Sequence, residues 1–356
     1  MSRTELLRNL LKNNEAALIE APKNRRYFTN MNTSNGMLLI TQEKALFFTD
    51  FRYITAAESQ ADRSFDVKLF EGTHAETLKA YLPREIERVF FEGEYLSYTA
   101  AESFFRACPD TEFICADKKI NGLRVQKSEE ELGYMREAQK IADNAFLHIL
   151  DFISGKWKTG LTEKQIAFEL EVEMRKNGSG EMPFSIICAS GANTAMPHAV
   201  PTDKPVENGD YITIDYGATL NDYCSDMTRT FAVGSVSEKQ ERIYDLVLEA
   251  QLAALSAAKA GVKGSEMHKI ASDIFSRENL GEYFGHGLGH SLGLQVHEEP
   301  RFSPLCDETV PENAVMSVEP GLYLPGEFGV RIEDCVVLRR DGCENLASSA
   351  KNLIIL

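Results

Sequence analysis

The sequence predicts an α+β protein in two parts: a smaller N-terminal α/β domain and a larger domain of helices and β-hairpins. Three observations carry that prediction. Ser128, Thr162 and Ser237 each precede an amphipathic run and are followed three residues later by Glu or Gln, the signature of a capped helix start. The segments YITIDYGATLNDYCSDMTRT (211–230) and VMSVEPGLYLPGEFGVRIEDCVV (315–337) place apolar and β-branched arms around a polar or Gly-Pro turn, which is the hairpin pattern. Upstream, helix and strand signals alternate as far as the turn pair Asn121-Gly122, which sets the domains at 1–122 and 123–356.

The elements follow in order. A helical stretch from Glu5 leads to the hairpin-like GMLLITQEKALFFTD, an amphipathic run near Tyr53 and a short strand at Val89 to Phe91. A long helix opens at Ser128. The helix opened by Thr162 and Gln165 carries Ile166, Leu170 and Met174 on one face and stops at Asn177-Gly178. Ser237 and Gln240 open another, with Ile243, Leu246, Val247 and Ala250 as its buried stripe and an end near Gly261. In GHGLGHSLGLQVHEEP the glycines speak against helix. Read as a strand, it puts His286, Leu288, His290 and Leu292 on one face, with glycines on the other leaving room for close backbone approach.

Composition narrows the class. A chain of 356 residues with 43% hydrophobic and 26% charged side chains is an ordinary soluble globular protein. A net charge of −16 argues against nucleic acid or an anionic membrane as partner, because both reward cationic surfaces. No apolar run approaches the roughly 20 residues of a spanning helix. The opening MSRTELLRNLLKNNEAAL reads as an amphipathic helix rather than a secretory signal. Seven scattered cysteines without a C-x-x-C suggest reduced thiols and a cytoplasmic location.

The chemistry concentrates in four carboxylates and one histidine. A turn between Leu220 and Asn221 sets Asp215 opposite Asp226, and a turn about Gly326 sets Glu319 opposite Glu333. Each hairpin then aims two carboxylates across a gap of about 5 Å. Like charges so placed repel, so a fold keeps them where a cation sits between. Four carboxylates offset two divalent ions, and His290 adds one nitrogen ligand. An oxygen-rich set with a single imidazole suits manganese first, with cobalt, zinc and iron also compatible.

The quoted segments, with PFSIICASGANTAMPHAVPTDKPVENGD, SVEPGLY and GVRIEDCVVL, resemble the metal-dependent pita-bread peptidases, in the branch of Xaa-Pro dipeptidases (prolidases) and Xaa-Pro aminopeptidases. NRRYFTN and FFTDFRY resemble the creatinase-type N-terminal domain, less specifically. The resemblance implies a pita-bread catalytic domain, two divalent metals held by Asp215, Asp226, His290, Glu319 and Glu333, and a peptide substrate with proline at its second position. It gives His198 and His297 contacts to substrate and intermediate, makes Glu319 both ligand and base, and lets Arg331 orient carboxylates or receive the substrate's C-terminal end. It implies a homodimer as well. Tyr223 and Thr228 flank Asp226 as donors to the ligands, while Cys224 and Cys335 read as small buried core residues. Ser291 and Ala199 stand where the family usually has glycine, and His268 sits near a commonly acidic position, which leaves the substrate pocket's shape open. Methionine aminopeptidases share the metal cage but usually lack such an N-terminal domain. Creatinase-type amidinohydrolases dispense with metal, and a catalytically inactive binding module would be expected to lose ligands.

Overall fold

The N-terminal sheet is centred on apolar strands buried on both faces, with half-exposed strands at its edges. Its strands are β1 (Glu15–Ile19), β2 (Met37–Ile40), β3 (Ala45–Thr49), β4 (Asp66–Leu69), β5 (Arg88–Phe91) and β6 (Glu112–Cys115), in the order β4-β3-β2-β1-β5-β6. Strands β1, β2 and β3 pair antiparallel and are wholly buried. The parallel additions β4, β5 and β6 arrive by helical crossovers, which parallel pairing requires. The expected hairpin in 36–50 is thus β2–β3, and the run near Tyr53 is the helix Ile54–Gln60.

The computed structural model describes residues 2–356, which divide into two compact units at Arg124/Val125. Asn121-Gly122 is not a free turn. It closes a short helix, Asp117–Gly122, because Ile120 is buried and the amides of Lys119 and Ile120 both donate to Ala116 O.

In the second unit all three capping boxes form as the spacing predicts. Ser128, Thr162 and Ser237 accept from the third helical amide while Glu131, Gln165 and Gln240 return to the cap amide, opening Glu129–Lys156, Glu163–Lys176 and Glu238–Ala257. Ile166, Leu170 and Met174 are fully buried, as are Val247 and Ala250. The last of these helices ends four residues before Gly261, whose positive φ turns the chain into the helix Gly264–Arg277.

The two helix pairs each cover a sheet. The pair at 129–176 packs Phe146, Ile149 and Leu170 on β7 (Ile187–Ser190), β8 (Tyr211–Tyr216) and β11 (Met227–Ala232), ordered β11-β8-β7. Between β8 and β11 lies a ribbon of β9 (Thr219–Leu220) and β10 (Tyr223–Cys224). The pair at 238–277 packs Val247, Met267 and Phe275 with Met316 and Val336 of the second sheet. That sheet comprises β12 (Gly289–Ser291), β13 (Glu298–Phe302), β14 (Val315–Val318), β17 (Asp334–Arg339) and β18 (Gly342–Asn345). A ribbon of β15 (Gly321–Leu324) and β16 (Phe328–Arg331) projects from it. The unit is therefore built from two helix-on-sheet halves, and both ribbons come from hairpins that carry acidic residues.

The second hairpin keeps the expected register. Val318 pairs with Asp334 on one side and Gly321 with Arg331 on the other, which leaves Glu319 and Glu333 facing each other between the ladders. The first does not. Asp215 pairs with Thr228, and Leu220 with Tyr223, so the turn is the two residues Asn221-Asp222. Both have positive φ (48° and 69°), the backbone that two-residue hairpin turns demand and that Asn and Asp tolerate. Asp226 therefore sits two places from its expected partner, but on the same face, because strand side chains alternate with a period of two.

Candidate metal centre and active site

Asp226, His290 and Glu333 are buried and present ligand atoms that all lie within 4.8 Å of one another. His290 Nε2 is 3.7 Å from Asp226 Oδ2 and 3.3 Å from Glu319 Oε1. Asp215 joins the same cavity walls. The five residues singled out by spacing thus converge, Asp215 and Asp226 from the first hairpin, Glu319 and Glu333 from the second, His290 from β12.

His290 is held with one nitrogen bare. Its Nδ1–H donates to Ser291 O at 3.1 Å, so Nε2 keeps its lone pair toward the carboxylates. Burial, then His297, pushes its pKa down to about 3, which keeps the ring neutral. Burial also pushes Glu319 up to about 7, with Arg331 opposing and Asp215 adding to the rise. Asp226 and Glu333 are driven upward by burial first and by neighbouring carboxylates next. Asp226, Glu319 and Glu333, so crowded, are uncomfortable as anions, and cations would relieve them.

The strand bearing His290 is shorter than expected. Only Gly289–Ser291 is extended, and the pairing with β13 shifts between His290 and Ser291. Gly289 is indispensable there, because a Cβ would meet Ser317 O at 2.0 Å. His286 lies outside the strand, held by a different contact: its Nδ1–H donates to Gly287 O, and its Nε2 accepts from Tyr323 Oη at 2.9 Å.

Arg331 is the cluster's internal cation. Nη2 donates to Asp215 Oδ2 at 2.6 Å, Nη1 to Tyr323 Oη at 2.9 Å and Pro197 O at 3.4 Å, and Nε to Thr228 Oγ1 at 3.1 Å. Its guanidinium is committed to the protein on every nitrogen, which fits orienting Asp215 rather than receiving a substrate's end. Thr228 Oγ1 in turn donates to Glu333 Oε2 at 2.6 Å. Tyr223, expected to serve the ligands, instead gives its hydroxyl to Glu131 Oε1 at 2.6 Å and stacks near Tyr134. The Cys335 thiol is buried and donates to Asp226 O; Cys224 is buried too.

Two cavities flank the carboxylates and share His198, Asp215, His290, His297 and Glu319. One, of about 220 Å³, is polar, lined by His286, Arg301, Ser303, Tyr323 and Arg331. The other, of about 270 Å³, is walled by Phe184, Ile186, Val200 and Val296. His198 and His297 stand exposed where the two meet. Sequence reasoning missed Tyr323 and Arg301. Strand parity would have found the first, which lies four residues from Glu319 on the same face; Arg301 stands opposite His290 across β12–β13, a pairing invisible without the register.

Comparison with known proteins agrees with this geometry. Residues 133–340 match Metallopeptidase family M24, and residues 3–126 match the Creatinase/Prolidase N-terminal domain. A solved structure of an Xaa-Pro dipeptidase from Bacillus anthracis is similar at TM-score 0.94, with 38% identity and 99% of each chain covered. One of an X-Pro aminopeptidase from Thermotoga maritima reaches TM-score 0.91 at 37% identity over 100% of each chain. The Xaa-Pro dipeptidase of Pyrococcus furiosus is 36% identical over 342 residues, 96% of this chain and 95% of that protein. With a family match spanning most of the second unit and its own ligand-type residues converging, this chain belongs to metallopeptidase family M24.

Proposed function

We propose that the protein is an Xaa-Pro exopeptidase that hydrolyses the bond between an N-terminal residue and proline, with two divalent metals held by Asp215, Asp226, His290, Glu319 and Glu333. The observation that carries the reading is the convergence of those five residues between a polar and an apolar cavity. The donor set fits the ions. Four carboxylates outnumber Arg331, the cation paired with Asp215, and Asp215 Oδ1 is buried with no hydrogen-bond partner among the described residues. Manganese is the ion to test first, because the set is oxygen-rich with one imidazole.

When bound, such ions lower the pKa of a water and polarise a carbonyl. The chain's own groups do the rest. Glu319, steadied by Ser317 Oγ at 3.1 Å, takes a proton from the attacking water and passes it to the leaving proline nitrogen. His198 and His297, at the junction of the cavities, donate N–H groups toward the developing oxyanion. Arg331 and Thr228 hold Asp215 and Glu333 in place. Proline offers no amide N–H and fixes its own φ, so its recognition depends on cavity shape rather than on a strand-like hydrogen bond.

The dipeptidase reading is favoured by Arg301, a half-exposed cation on the polar cavity that suits a free carboxylate beyond proline. The same proposal includes a cytoplasmic homodimer, supported by seven scattered cysteines without a C-x-x-C for the compartment and by family resemblance for the dimer. The test is turnover of Ala-Pro and Ala-Pro-Ala by chelator-stripped, manganese-reloaded protein. Cleavage of the dipeptide alone is expected; cleavage of the tripeptide would mark an aminopeptidase. Failure on both with every divalent metal would end the peptidase reading.

A further inference from the structure

The buried polar groups not used by the proposed reaction include one carboxylate with an unusual set of partners. Glu163, the first residue of the helix Glu163–Lys176, is fully buried in spite of its charge. Its Oε1 accepts from Ser190 N at 2.6 Å, Ser190 Oγ at 2.9 Å and Asn193 Nδ2 at 3.0 Å. Its Oε2 accepts from Thr202 N at 2.9 Å and Thr202 Oγ1 at 2.7 Å. One carboxylate therefore grips both ends of the segment 190–202. The helix start reinforces the grip, since the amides of Glu163 and Lys164 donate to Lys204 O and Thr202 O.

That segment carries His198. The histidine is exposed at the cavity rim, so packing does not fix it; the course of its loop does. The loop has two further anchors on the second hairpin, Gly329 N to Thr194 Oγ1 at 2.8 Å and Arg331 Nη1 to Pro197 O at 3.4 Å. Gly329 has no room for a side chain there, as a Cβ would meet Thr194 O at 2.2 Å. Neither of these anchors lies at the loop's ends. Ser190 stays in β7 through its pairing with Ile212, so without the Glu163 clasp it is the limb from Asn193 to Thr202 that is held less tightly, and His198 with it. Charge-assisted acceptance suits this task, because five donors converge on a group that remains an anion. Burial works to raise the Glu163 pKa, and the bonds from Thr202, Asn193 and Ser190 overcome it, so the net shift is downward.

We infer that Glu163 is a positioning residue for the peptidase reaction, acting through His198 by closing the loop 190–202 at both ends. The inference rests on the proposed contact between His198 and substrate. In Glu163→Gln one carboxylate oxygen becomes an NH₂ that faces donors, so one end of the loop is released while side-chain volume is kept. Displacement of a substrate-contacting group by about 1 Å costs on the order of 100-fold, and a 10- to 100-fold fall in kcat with little change in KM is expected at unchanged metal content.

The deciding experiment is a double-mutant cycle with His198→Ala, read as kcat and KM on Ala-Pro. If Glu163 acts through His198, Glu163→Gln costs less than about twofold more once His198 is gone. If the two factors multiply, Glu163 acts elsewhere and the inference is overturned. If His198→Ala alone turns over normally, the proposed role of His198 fails first, and the inference falls with it. Should Glu163→Gln not fold, Thr202→Val removes one hydroxyl donor from an exposed loop residue and enters the same cycle with the same outcomes.

Discussion

Thr228 stands opposite Asp215 in the β8–β11 ladder, yet it spends its hydroxyl on Glu333, 2.6 Å away on the other hairpin. The same oxygen accepts from Arg331 Nε. One threonine thus links Glu333 to Arg331, and Arg331 in turn holds Asp215 of the first hairpin. Thr228→Val keeps the shape and removes both bonds. Outer groups that orient metal ligands are worth 10- to 100-fold in affinity, and a loss of about that size is expected by metal titration of stripped protein. Unaltered affinity in a folded variant would exclude Thr228 from the ligand-orienting set.

The sequence made the second hairpin's register legible because a Gly-Pro-flanked turn leaves little freedom, and Gly326 does take positive φ. The first hairpin's turn lies one residue later than its apolar pattern suggests, since Asn221 and Asp222 can both adopt left-handed backbone and Leu220 cannot do so cheaply. The convergence of the carboxylates survived that error because a two-residue slip preserves the face. Contacts between distant segments were not legible. Tyr223 found Glu131, a helix-cap residue 92 positions away, and His286 found Tyr323 rather than a place on the strand of His290. Periodicity reports which way a side chain points, not which element lies there.

Glu319 combines proximity to His290 with a pKa raised to about 7 by burial. If it carries the proton, Glu319→Ala abolishes turnover, and the isosteric Glu319→Gln lowers kcat by about 10²- to 10⁴-fold. Metal content must be measured alongside, since the residue is also a proposed ligand. Unchanged kcat at normal metal content would remove Glu319 from the mechanism.

Behind the site, Arg229 and Asp334 form an ion pair at 2.7 Å with side chains 1% and 0% exposed. Arg229 also donates to the main-chain oxygens of Thr228 and Glu333, so the pair underlies both hairpins. Asp334 accepts further from Gln251, Asn345 and Lys351. Removing one partner of a buried pair costs about 3–5 kcal/mol, and Asp334→Ala is expected to lose that much by urea denaturation. A loss below about 1 kcal/mol would mean that the carbonyl partners alone hold Arg229.

Metal removal should make stability depend on pH in a direction set by the same carboxyls. Glu319 rises from its ordinary 4.5 to about 7 in the metal-free protein, and burial drives Asp226 and Glu333 the same way. A carboxyl with a raised folded pKa binds its proton more tightly in the fold than in the unfolded chain. Its stabilising contribution is therefore full below the ordinary value and is lost as pH climbs through the raised one. Stripped protein should melt at a higher temperature near pH 5 than near pH 8. Divalent ions prefer deprotonated ligands, so reloading should raise the Tm more at pH 8 than at pH 5. Scanning both forms across that window checks the sign. A stripped protein whose Tm holds level or climbs toward pH 8 would show that these carboxyls do not share a crowded, buried site in solution.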